Sequence, residues 1–149
     1  MSTPPVSPQV SAAIRGTCAR LGLAAETEAE VHRVLRLDRA GEGYLLVVFG
    51  PAEGALGIAA FEPTTGSVQG SARLAGTTRA LPLDAAAARG RAGAEPQAPA
   101  GLVWQPSPAS MSPLLPFWQV RTGDGKVTYV DQQGRTFTEA QLRVSRPGG

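Results

Sequence analysis

GYLLVVFGPAEGALGIAAFEPTTGSV, residues 43–68, decides the fold. An aromatic-led apolar run, a Pro-Ala-Glu-Gly turn and a second apolar run make a β-hairpin. The second run stops at Glu62, and Gly66 follows four positions later. The pattern recurs at residues 116–137, PFWQVRTGDGKVTYVDQQGRTF, where the second strand stops at Asp131 and Gly134 follows. A hairpin repeated this far apart in one chain points to internal duplication and constrains architecture more than chemistry.

Working outward, Ser7-Pro8 supplies a capping hydroxyl and a proline already at helical φ. Val10, Ile14, Thr17, Cys18 and Leu21 then recur at three- and four-residue spacing up to Gly22. That stripe predicts an amphipathic helix closed by a left-handed glycine. Residues 30–38 read as a strand entering a hairpin at Ala40-Gly41-Glu42-Gly43, followed by strands over 44–50, 56–61 and 67–74. Pro82-Leu83-Asp84 before four alanines opens a second helix reaching about Arg91. A short strand is predicted over 101–105, a hairpin after Trp118, and a last strand over 136–138. The expected class is α+β, with two tandem units of helix plus antiparallel sheet at residues 7–75 and 76–142. A proline-rich insertion spans 95–116, residues 1–6 are expected to be disordered, and 143–149 a flexible tail. Ile14, Leu21, Leu35, Leu46, Val48, Ile58, Phe61, Trp118, Val120 and Tyr129 form the expected core.

Charge argues against a nucleic-acid surface. The net charge is +2, with six basic and seven acidic residues before position 76 and eight and five after it. No basic stripe is interleaved with aromatics. Thirteen of the fourteen basic residues are arginine beside abundant Ala, Gly and Pro, which suggests a GC-rich bacterial genome. The N-terminus lacks a basic and then apolar export signal, and no apolar stretch approaches the roughly 20 residues that span a bilayer. A cytoplasmic protein without a membrane span is expected.

The order of helix, Tyr44-x-x-Val47-Val48, turn, then Glu62-x-x-Thr65-Gly66-x-Val68 resembles the PepSY-type repeat, of cystatin-like topology. The second copy matches at Trp118 and Val120, then Val130, Asp131 and Gly134. It departs by an acid-to-glycine gap one residue shorter and by the proline-rich connection. The resemblance implies a regulatory or binding module, often linked to protease inhibition and usually found outside the cytoplasm. It brings no catalytic residues.

Glu62 and Asp131 occupy matching places and could act as a carboxylate pair in a small hydrolase. Turn chemistry accounts equally for acid and glycine, because such acids accept the amides of the following turn. Cys18 and His32 are the sole members of their types. A nucleophilic dyad would need them in contact, whereas an apolar helical stripe is the ordinary place for an unreactive thiol. The glycines of 50–57 and 66–70 lack the Gly-Lys-Ser/Thr of a phosphate loop. No acids cluster at metal-ligand spacing, and a lone cysteine excludes an internal disulfide. No cofactor or enzymatic activity is expected. The remaining candidate is QPSPASMSPLLPFW, residues 105–118, adjoining Trp104. Trp104, Met111, Leu114 and Leu115 there could dock a protein or peptide, or the same side chains could pin a long connection to the core. The expected function is non-catalytic binding of a protein or peptide, or self-association as a homodimer. Nucleic-acid binding through the arginines of the second half is the weakest alternative.

Overall fold

The computed structural model describes residues 6–39, 41–51, 53–107 and 110–144. Chain contacts divide into two compact units, residues 1–35 with 41–80, and residues 36–40 with 81–149. The fold is α+β. Among the described residues, no helix is long and apolar enough to cross a membrane.

The first unit holds α1 (Pro8–Arg20), β1 (Ala29–Arg36, whose last residue groups with the second unit), β2 (Gly43–Phe49), β3 (Gly57–Phe61) and β4 (Val68–Arg73). The strands form an antiparallel meander in the order β4-β3-β2-β1. Ser7 caps α1, its hydroxyl accepting the Val10 amide at 3.2 Å. At the other end Gly22 adopts φ 76°, and Arg73 Nη1 donates to the freed Leu21 carbonyl at 3.1 Å. Cys18 packs on Val47, Phe49, Ala59 and Phe61, with Ala13, Ile14, Leu21, Leu23 and Val31 around them. The run Leu45–Phe49 does not alternate in hydropathy, and both faces of β2 and β3 are accordingly buried.

Of the expected core, Leu46, Val48, Ile58, Phe61, Val120 and Tyr129 are buried. Ile14, Leu21 and Trp118 are half-buried. Leu35 is a correction, for it is 52% exposed. It shares the face of Val31 but stands opposite Gly43 at the far end of β1, outside the helix-covered cluster. Its neighbour Val34 takes the buried position.

The second unit holds α2 (Ala85–Ala92), β5 (Ala100–Trp104), β6 (Phe117–Arg121), β7 (Val127–Val130), β8 (Thr136–Phe137) and α3 (Glu139–Val144). Its strands follow the order β5-β6-β7-β8, again antiparallel. Asp84 caps α2 by accepting the Ala87 amide at 2.8 Å, and Gly93 ends it at φ 70°. Ala88 packs on Val120 and Val130, with Leu83 and Trp118 at the margin. The Leu83 peptide is held twice. Its carbonyl accepts from Trp118 Nε1 at 2.7 Å, and its amide donates to the Gln132 carboxamide at 3.2 Å.

The short helix α3 was not expected. Thr138 and Gln141 satisfy each other's amides at 3.1 and 2.8 Å, a capping box that starts it. Leu142 is then buried, which anchors six residues too few to stand alone. Of the expected tail, Arg143 and Val144 are helical and 145–149 lie outside the described residues. Residues 1–5 of the expected disordered N-terminus lie outside them too.

Candidate functional site

The loop from β5 to β6 is built from Trp104 upward. β5 ends at this residue, whose carbonyl accepts the Leu37 amide at 2.9 Å. The Arg36 guanidinium lies over the indole, 4.9 Å from the ring centroid. Asp38 fixes that guanidinium through two bonds of 2.8 and 2.7 Å. The hydrogen bond from Arg36 holds the Asp38 carboxyl below the usual carboxylate range. Trp104 is thus 4% exposed and locked in orientation. It anchors the loop and does not present a docking surface.

Its indole Nε1 donates to Ser110 Oγ at 3.3 Å. That hydroxyl, itself buried, turns its proton toward the Leu115 carbonyl at 2.7 Å, with the Ser112 carbonyl at 3.2 Å. Ser107 and Ser110 exchange amide-to-carbonyl bonds at 3.2 and 3.0 Å. The Leu115 amide returns to the Ser112 carbonyl at 3.0 Å, and the Leu114 amide to Ser112 Oγ at 3.2 Å. Gln132 Nε2 donates to the Pro116 carbonyl at 3.0 Å and closes the far end. The described residues 110–116 are therefore tied by hydrogen bonds within the loop and to Gln132.

The four residues singled out from sequence separate. Trp104 is buried, Leu114 is half-buried, and Met111 and Leu115 point outward at 71% and 48% exposure. Trp104 and Phe117 pin the connection, while Met111 and Leu115 are left in water. Sequence reasoning missed Ser110, the hydroxyl that joins anchor to loop. Nothing distinguishes it from the other serines of PSPASMSP. It also missed Arg36, which comes from a distant part of the chain.

The two matching acids are engaged in their own turns. Glu62 Oε2 accepts the Thr64 amide at 2.9 Å and the Thr65 hydroxyl at 2.8 Å. Bonds from Thr65 hold its carboxyl below the usual range, so it stays ionised. Asp131 accepts the Gln133 and Arg135 amides at 3.0 and 2.9 Å and pairs with Arg135 Nε at 2.8 Å. Cys18 Sγ donates to the Ala24 carbonyl at 3.4 Å. His32 Nε2 lies 2.8 Å from Glu30 Oε1, on the face of β1 opposite the one Val31 turns toward α1. Burial lowers the His32 pKa more than Glu30 raises it. Among the described residues, no group of His, Cys, Asp and Glu could hold a metal ion.

No family model matches the chain, and neither a curated protein nor a solved structure matches it.

Proposed function

We propose that this chain is a non-catalytic binding module whose partner is a protein or peptide, engaged through Met111 and Leu115. One observation carries the reading: two exposed apolar side chains sit on a loop that is already hydrogen-bonded into shape. A surface ordered in advance loses less conformational entropy on association, and flexible methionine suits an apolar partner surface. The engagement of Glu62 and Asp131 with their own turns favours binding over carboxylate hydrolysis. Arg135, one of the second-half arginines, is likewise held by a carboxylate within the fold, which argues against the nucleic-acid alternative at that residue.

The repeated order of a helix followed by four antiparallel strands supports two copies of one ancestral unit of PepSY-like, cystatin-like topology. Turn detail supports it as well. Gly66, after Glu62, lies against Gln9 and Ala13 of α1, and Gly134, after Asp131, lies against Arg91 of α2. In both units the acid-to-glycine turn touches the helix that precedes it.

Affinity capture from cells of the source organism tests the binding reading. The parent chain should retain a specific partner that is lost when Met111 and Leu115 are both changed to glutamine, with no change in melting. Retention of the same partners by the variant would refute it, as would substrate turnover abolished by Glu62→Gln.

A further inference from the structure

β4 is the edge strand of the first unit, and its exposed edge has unusually little to protect it. Its sequence, Val-Gln-Gly-Ser-Ala-Arg, holds no proline and no lysine, the residues that ordinarily blunt such edges. Its one charged side chain, Arg73, is turned back onto the Leu21 carbonyl. A register shift opposite Ala60 and Phe61 disturbs only the start of the strand, leaving 70–73 regular.

Two hydrogen bonds fix which groups face outward. The Leu74 amide donates to the Leu56 carbonyl at 2.9 Å, and the Glu62 amide donates to the Ser67 carbonyl at 2.8 Å. Alternation along an antiparallel ladder then turns the amide and carbonyl of Gly70 and Ala72 toward β3. Those of Ser71 and Arg73 point away from the sheet. A second strand laid antiparallel on this edge meets Ser71 as a hydrogen-bonded position.

We propose that two copies of this chain pair edge to edge through β4, antiparallel, with Ser71 on the two-fold axis. The edge is self-complementary in that register. Ser71 exchanges both backbone bonds with Ser71 of the second copy, and Gly70 stands opposite Ala72, so only small side chains meet at the centre. Arg73 is carried past its symmetry mate to the uncharged Gln69, so no like charges oppose each other. A closed two-fold also consumes the exposed β4 edge of both copies, so this edge cannot propagate further. An interface this short falls below about 1,200 Å², the range of transient complexes, so the dimer forms only at high concentration.

Sedimentation of the full chain from micromolar to millimolar concentration tests this, beside Ser71→Pro and Ser71→Lys. Proline at position 71 removes an amide that does not serve β3, and lysine sets two like charges on the axis. The parent should show monomer–dimer exchange. Losing the two central hydrogen bonds should weaken it by about tenfold or more. Should Ser71→Pro fail to fold, Ser71→Lys gives the answer alone, provided it melts like the parent. A parent that stays monomeric at millimolar concentration overturns the proposal, as does a folded Ser71→Lys protein that associates like the parent. An added peptide that binds β4 while the parent remains monomeric overturns it too.

Discussion

Gly66 lies so close to Ala13 that a Cβ built on the glycine would come within 3.0 Å of the alanine's own Cβ, and within 2.9 Å of the Gln9 carbonyl. Its φ is +79° as well. The turn that closes the β3–β4 hairpin is therefore seated against α1 by the absence of a side chain. Gly66→Ala combines left-handed strain, costing about 1–2 kcal/mol, with a clash against helix backbone. Gly125 has φ +82° but nothing within 4 Å, so Gly125→Ala carries the strain alone. Chemical denaturation should show Gly66→Ala to be the more damaging change. Equal losses would mean that the turn is not seated on the helix.

Two leucines of the β1–β2 hairpin differ sharply in burial. Leu46, opposite His32, is fully buried, whereas Leu35, opposite Gly43 on the other face of the same hairpin, is half in water. Leu46→Ala should cost about 2–5 kcal/mol. Leu35→Ala should stay within about 0.5 kcal/mol of the parent. A large loss at Leu35 would place that strand one residue out of register.

Acid should weaken the fold through His32. Burial lowers its pKa below the ordinary value, so the folded chain binds this proton less readily than the unfolded chain. The stability it contributes is full above the unfolded value of about 6.5 and is lost as pH falls through the folded pKa. Thermal melts between pH 7 and pH 5, read against that unfolded value of about 6.5, should show stability falling in the parent and a flatter profile in His32→Gln. An identical slope in both proteins would assign the effect to another group.

Ser110→Ala removes the acceptor of the Trp104 indole and the donor to the Leu115 carbonyl. Leaving such groups unpaired costs about 1–3 kcal/mol. The variant should melt lower and bind its partner more weakly, although it keeps Met111 and Leu115. Unchanged stability would show that the hydroxyl does not hold the loop.

Local signals in the sequence carried most of the fold. Ser7 bounds α1 through its capping hydroxyl and Gly22 through its positive φ, and the apolar runs of β2 and β3 fall within a residue of the expected spans. The misses have physical causes. The helix α3 is too short for an apolar period, although Thr138 and Gln141 carried its capping signal. Leu35 looks like any core leucine, and only the reach of α1 over β1 decides its exposure. The loop was legible as a candidate through Trp104, Met111, Leu114 and Leu115. Its organisation was not, because that rests on Ser110 and on Arg36, a residue far away in sequence.

Amide hydrogen exchange across residues 107–115 of the free protein tests most directly whether the loop is shaped before a partner arrives. The amides of Ser110, Leu114 and Leu115 each have an acceptor within the loop, at 3.0, 3.2 and 3.0 Å. They should exchange far more slowly than an open chain of the same sequence, and Ser110→Ala should release them together. Exchange of all three at open-chain rates in the parent protein would contradict a preordered binding loop.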